Sequence, residues 1–535
     1  MTRSKCTSNV IWMLCVALLT ALLCGGCGRS ERPPVAVPDG AKAGELTPLE
    51  ACEYRPAGSK VAYTAQCGTL TVPENWDDPD ARLIGLPVVR IPATGPGPAE
   101  PVFVLLGGPG APNLLFPPPD WLLQDHDVVL VGYRGVEGTV ELTCPQVNAF
   151  SAEYLGKGFL GDEMKADLVA AAGQCAQDYR AAGVDLGGYT AVGVVEDVEA
   201  ARVALGYGSI DVWSESYGTR VAQLYAYLYP DSLHRVLMIG LNTPGHFVYD
   251  PAVFDDMIGH ISDLCAQDPA CSSRTDDLAQ AIDDVNHNMP DRWLWFPIDS
   301  GSIRFGTHFM FFSSRNMPMV FDMYLAAANG DPSGLAMLNL IGPLMFPAEM
   351  FRMGDFLNKG ATLDLEYYGG PEQTALGSSV MGAPLGEWIW SMADAWPVEL
   401  VPAALRALQE SDVDMLMVNG TVDFSTPPTA LDEIEPYYHN AQVVLLPEFS
   451  HTGDVATLQP EAFERLVTSY YRTGVADDSL FVYQPLRFVP GMRLPVLAKL
   501  LVATMVIFPV LLVGGAVWIV RRRRGDRKPR VRSGR

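Results

Sequence analysis

Basic side chains are scarce in this 535-residue chain: 37 Lys and Arg stand against 62 Asp and Glu, a formal net charge of −25. So acidic a surface repels polyanions and excludes the nucleic-acid-binding classes. Compact metal-ligand spacing is also missing from residue 28 onward, with no Cys-x-x-Cys and no paired histidines there, which weighs against a zinc reading. No internal repeat or low-complexity tract dominates. Charged residues reach only 19% against 48% hydrophobic, the balance of a globular chain with additional apolar segments. The length suits one core carrying a large insertion.

The apolar segments lie at the ends. Arg3 and Lys5 precede an apolar run from Ile11 to Leu23 and small residues around Cys27, so residues 1–27 read as an export signal. Leu23-Cys24-Gly25-Gly26-Cys27 resembles a bacterial lipobox, with Cys24 where leucine is usual. Cys27 is therefore a lipidation candidate, beside an ordinary signal with no lipid. Leu494 to Val520 is apolar apart from Lys499 and is followed by Arg521 to Arg524. Residues 494–520 are expected to form a transmembrane helix, with the basic tail 521–535 cytoplasmic and the body extracytoplasmic at the cell membrane. Cys52, Cys67, Cys144, Cys175, Cys265 and Cys271 remain in that body, an even set expected to form disulfides whose pairing the sequence leaves open.

Residues 28–50, rich in Pro, Gly and Ala, read as a linker. Short β-type runs follow at Gly68 to Val72, Leu83 to Ile91, Val102 to Leu106 and Asp127 to Val131. Helical spacing over Glu163 to Ala182 and Val192 to Leu205 leads to a strand at Ile210 to Trp213, a helix at Val221 to Tyr229 and a strand at Arg235 to Ile239. This alternation predicts an α/β class with a mostly parallel sheet over 51–242. It breaks over 243–405, a stretch dense in Met, Trp and Phe that reads as a mainly helical cap. It resumes over 406–480 with strands at Asp414 to Val418 and Val443 to Leu446 and a helix at Pro460 to Tyr471.

Ser216 stands between a predicted strand and a predicted helix, with small Ser214 two residues before it and Gly218 two residues after. That is the context of a nucleophile elbow, although Gly is usual where Ser214 stands. A serine hydroxyl needs a base, and the base needs a carboxylate to orient it. His451 and Asp423 each follow a predicted strand, giving the order Ser, Asp, His of the α/β-hydrolase fold. The oxyanion hole is assigned to the amides of Tyr217 and Gly108, with Gly107 the alternative in Leu105-Leu106-Gly107-Gly108-Pro109-Gly110. The chemistry requires no metal or organic cofactor.

Together with Cys67-Gly68-Thr69-Leu70-Thr71-Val72-Pro73, Tyr133-Arg134-Gly135 and Ser216-Tyr217-Gly218-Thr219, these loops resemble the proline iminopeptidase and tripeptidyl aminopeptidase group of serine peptidases. Leu106 departs from a frequent His and Gly132 from a frequent Asp. The resemblance implies removal of one or a few residues from the amino end of short peptides, with acidic side chains holding the free amine. Glu215, Asp364 and Glu366 are the candidates. Glu215 before the nucleophile also resembles the elbow of serine carboxypeptidases. A carboxylesterase or lipase would use the same triad, and a membrane-tethered binding protein without turnover would share the fold.

Overall fold

The computed structural model describes residues 35–345, 351–397 and 399–525. The export-signal reading and Cys27 fall outside them, as do residues 526–535 of the tail.

The core is a nine-stranded sheet in the order β1-β2-β3-β5-β4-β6-β7-β10-β11. β1 (Glu50–Tyr54), β2 (Tyr63–Pro73), β3 (Leu83–Ile91) and β5 (Val128–Val131) pair antiparallel in that order. β4 (Val102–Leu105), β6 (Ile210–Glu215), β7 (Leu233–Ile239), β10 (Met415–Gly420) and β11 (Ala441–Leu446) extend it in parallel from β5. The short hairpin β8 (Arg292–Trp293) and β9 (Phe296–Pro297) stands apart. β4, β5 and β10 are buried along their whole length, as expected of strands covered on both faces. In the first half of the core α1 (Asp162–Ala181) packs against the cap turn Ala393–Ala395, while α2 (Ala191–Leu205) covers β2 and β5 and α3 (Tyr217–Leu228) covers β4, β6 and β7.

The segment between β7 and β10 is the cap. Its main helices are α4 (Pro251–Gln267), α5 (Ser300–Met310), α6 (Met317–Ala328), α7 (Ser333–Met345), α8 (Met353–Asp364) and α9 (Pro384–Trp390). After β11 the core closes with α10 (Thr452–Thr457) and α11 (Pro460–Thr473). The Met, Phe and Trp density of the cap is largely packing: Phe254, Phe311, Phe321, Met323 and Trp390 are buried.

The six body cysteines pair with their sequence neighbours. Cys52–Cys67 joins β1 to β2, Cys144–Cys175 ties the loop after β5 to α1, and Cys265–Cys271 closes the end of α4. The region read as a free linker is already engaged before residue 50. Gly44 donates to the Thr71 carbonyl at 2.8 Å and Thr47 to the Thr69 carbonyl at 3.0 Å, so this segment satisfies the open edge of β2.

The expected transmembrane helix is overturned. Leu494 to Gly525 does form one helix, α12. Among the described residues, however, no helix is long and apolar enough to cross a membrane. The first turns of α12 belong instead to the protein interior. Leu494 and Ala498 are buried, and the Pro495 ring lies against Gly334, where a Cβ would meet its Cγ at 2.9 Å. Lys499, the one charge within the run, pairs with Asp331. Just before the helix, Arg493 pairs with buried Asp322 of α6 at 2.9 Å, and Phe488 stacks on Phe321. A run that looks uniformly apolar in sequence therefore spends its beginning on docking to the cap.

Candidate active site

Ser216 sits at the carboxyl end of β6, one residue before α3, with φ +53° and ψ −127°. A non-glycine residue rarely takes this left-handed conformation, and here it is held by the surroundings. Gly218 is required beside it, because a Cβ there would lie 2.0 Å from the Leu105 carbonyl oxygen. Ser214 replaces the usual glycine without penalty. Its side chain is buried between strands and its hydroxyl donates to the Leu237 carbonyl at 2.7 Å.

Asp423 follows β10 and is fully buried. Its Oδ1 accepts the amides of Ser425 at 2.8 Å and Thr426 at 3.0 Å. Its Oδ2 accepts the Thr426 hydroxyl at 2.7 Å and lies 2.8 Å from His451 Nδ1. Four donors thus fix the carboxylate and dictate which imidazole nitrogen carries a proton. Thr426 was not among the residues singled out from sequence; its position three residues after Asp423 was the available signal. Thr426→Val is expected to lower kcat about 10- to 100-fold with KM little changed, from loss of one hydrogen bond to a charged group. Steady-state kinetics on the purified variant checks this.

Ser216 and His451 line one cavity of about 290 Å³ together with Gly107, Gly108, Glu215 and Ser425. The cap supplies aromatic walls from Phe309, Phe312, Phe351 and Phe356. Gly107 approaches the nucleophile closely: a Cβ on it would fall 2.6 Å from Ser216 Cβ. Tyr217 opens α3, where the amide has no intrahelical acceptor. The glycine loop is anchored by side chains that sequence reading passed over. Asn113 donates to the carbonyls of Val104 and Val131 at 2.8 and 2.9 Å, and buried Glu137 accepts the Asn113 amide at 2.9 Å. Leu106, in the place of a frequent His, keeps its backbone role: its carbonyl accepts the Tyr133 hydroxyl at 2.9 Å. Gly132 stands where a Cβ would meet Pro87 Cγ at 2.6 Å, so the local packing has room for glycine alone.

The cap is fastened to the histidine loop. Asp454 accepts the Ser313 hydroxyl at 2.8 Å, the Ser314 amide at 2.7 Å and the Ser450 amide at 3.1 Å. The Ser450 hydroxyl donates to the Phe311 carbonyl at 2.6 Å. Phe312 and His451 are consequently neighbours, with ring centroids 5.4 Å apart.

Of the three acidic candidates, only Glu215 reaches the cavity. Trp213 Nε1 donates to its Oε1 at 2.7 Å, and burial raises its carboxyl pKa. Asp364 is buried elsewhere, accepting the Gly245 amide at 3.1 Å, and Glu366 pairs with Arg406. Neither lines the cavity, because the end of α8 packs against the loop after β7 and turns both carboxylates away.

Behind the aromatic wall lies His308, fully buried, with neither ring nitrogen hydrogen-bonded and its ring stacked on Phe254 at 5.0 Å. Burial pushes its pKa down to about 3. The folded state therefore binds fewer protons than the unfolded state, whose His titrates near ~6.5. Stability contributed by neutral His308 is fully present above that value and is lost as pH falls toward 3, at up to about 1.4 kcal/mol per pH unit. His308→Leu is expected to flatten this limb in a series of thermal unfolding curves from pH 7 to pH 4.

Residues 385–479, which contain Asp423 and His451, match a family model described as TAP-like protein. The serine protease Hip1 of Mycobacterium tuberculosis is 27% identical over 308 residues, covering 53% of this chain and 56% of that protein. The tripeptidyl aminopeptidase of Streptomyces lividans is 26% identical over 250 residues, covering 43% and 45%. The matched region spans about half the length of these curated relatives. A serine hydrolase from Cycloclasticus zankles overlays 77% of this chain and 100% of its own at 11% identity, with a TM-score of 0.34 that adds nothing to the topology above.

Proposed function

We propose that this chain, an α/β-hydrolase homologous to the TAP-like serine peptidases, removes residues from the amino end of short peptides outside the cytoplasm. The observation that carries the proposal is the buried Asp423 bonded to His451 at 2.8 Å, with His451 facing the same capped cavity as the strained elbow serine. In this reading Ser216 attacks the peptide carbonyl and His451 takes its proton. Asp423 holds the imidazole orientation, and the amides of Tyr217 and Gly108 receive the developing oxyanion. His451 then protonates the departing amine, and water, activated by the same imidazole, releases the acyl group from Ser216.

Selection for short peptides follows from the cap, since a cavity of about 290 Å³ closed by cap aromatics excludes a folded chain. Selection for a free amino end is supported by Glu215, the one acid lining the cavity among the described residues, and by the name of the Streptomyces relative. Location outside the cytoplasm is supported by the three disulfides.

The test compares fluorogenic tripeptide and single-residue substrates with free and acetylated amino ends, alongside simple esters. Acetylation is expected to lower kcat/KM at least about tenfold, the loss of one ionic contact. Ester hydrolysis with no cleavage of free-amine peptides would replace the peptidase reading with an esterase. Mass measurement of the mature amino terminus tests export.

A further inference from the structure

The sheet carries a second cluster of ionisable groups at the end opposite Ser216. Glu100 precedes β4, Asp211 lies near the start of β6 and His234 near the start of β7, so parallel pairing of these central strands brings the three side chains together. His234 Nδ1 is 2.9 Å from Asp211 Oδ1 and 3.7 Å from Glu100 Oε2, and one ligand-type atom of each residue lies within 4.8 Å of the others.

An ordinary ion pair leaves part of this arrangement unexplained. Asp211 is fully buried, yet its Oδ2 has no hydrogen-bond partner. The nearest further cation candidate, His126, is 3.7 Å from that oxygen and directs its Nδ1 to the Glu100 carbonyl at 2.7 Å. A carbonyl can only accept, so His126 Nδ1 carries the proton and is committed there. Arg235, next to His234, sends its guanidinium to the Tyr471 carbonyl at 2.6 Å. Glu100 and Asp211 thus share the His234 imidazole, and Asp211 Oδ2, 3.7 Å from His126 Nδ1, receives no hydrogen bond.

We propose that Glu100, Asp211 and His234 form a structural binding site for a zinc-class divalent cation that clamps together the starts of β4, β6 and β7. One imidazole nitrogen and two carboxylates suit such a borderline ion, whereas calcium calls for about six to eight oxygens. Donors placed ~2.0–2.2 Å from a tetrahedral ion are ~3.3–3.6 Å apart; the 3.7 Å between His234 Nδ1 and Glu100 Oε2 is close to this, and the 2.9 Å contact between His234 Nδ1 and Asp211 Oδ1 must open for the ion to enter. His234 and Glu100 are partly exposed, which gives the ion a route from solvent. The site is roughly 16 Å along β6 from the nucleophile, so the ion takes no part in hydrolysis.

The test is zinc titration calorimetry on the full, untagged chain after chelator dialysis, with thermal unfolding in parallel. One zinc per chain is expected, retained in His451→Ala and bound at least about tenfold more weakly in both Glu100→Gln and His234→Gln. Zinc should raise the unfolding temperature of the parent protein and leave that of His234→Gln unmoved. Glu100→Gln, at a partly exposed position before β4, keeps the test decisive if His234→Gln fails to fold. Absence of zinc uptake, uptake unchanged by both substitutions, or uptake of calcium in preference to zinc would each overturn the proposal.

Discussion

Ser216→Ala is expected to abolish peptide turnover, with kcat falling by about 10⁶-fold, the loss seen when a serine hydrolase triad loses its nucleophile. The prediction depends on the variant keeping its shape, and the local structure provides for that. The elbow is held by backbone and neighbours: the Ser216 amide donates to the Ile239 carbonyl at 2.9 Å, and the Thr219 amide and hydroxyl close onto the Ser216 carbonyl at 2.9 and 2.6 Å. None of these contacts uses the Ser216 hydroxyl. Thermal unfolding should therefore be unchanged while labelling by a fluorophosphonate disappears. Turnover retained by a folded Ser216→Ala protein would sink the covalent mechanism.

Asp197→Ala should have the largest effect on stability, costing about 3–5 kcal/mol. Arg134 has no exposed surface, and its guanidinium meets the Asp197 carboxylate through two nitrogens at 2.7 and 2.5 Å. It also donates to the carbonyls of Glu74 and Gly188 at 2.8 and 2.7 Å. Removing the carboxylate leaves a buried charge with neutral partners only and deprives Trp76 Nε1 of its acceptor at 3.0 Å. The cost is the desolvation of the orphaned cation, so the pair Asp197→Leu with Arg134→Met should be less damaging than Asp197→Ala alone. Urea unfolding followed by tryptophan fluorescence measures both. Unfolding midpoints indistinguishable from the parent would show that water reaches the guanidinium and screens it. Tyr133, adjacent in the motif, supports the glycine loop through Leu106, so the single variant should lose activity as well.

The pattern of strands and helices was legible because a parallel sheet covered on both faces demands continuous apolar strands, as in Val102 to Leu105 and Val128 to Val131. The order of Ser216, Asp423 and His451 was legible because each follows a strand. Glu50–Tyr54 escaped notice since an edge strand with one exposed face carries little apolar signal. The acids of the cap were misplaced for a different reason: a carboxylate's direction depends on how its helix packs, and that packing leaves no periodic trace.

The sequence by itself determined the alternating core, the elbow around Ser216, the acid and base that follow it, and an even set of cysteines suited to disulfides. These are properties of local spacing and of chain order. Only the tertiary structure decided that Thr426 shares the Asp423 carboxylate and that Glu137 with Asn113 holds the glycine loop. It alone placed Glu215 in the cavity and gathered Glu100, Asp211 and His234 at the far end of the sheet. Apart from Thr426, which lies on the same loop as Asp423, these groupings join residues on separate strands or loops, whose meeting is set by sheet register. The fate of Leu494 onward belongs with them, because an apolar run reads the same in sequence whether its partner is lipid or the buried face of a neighbouring helix.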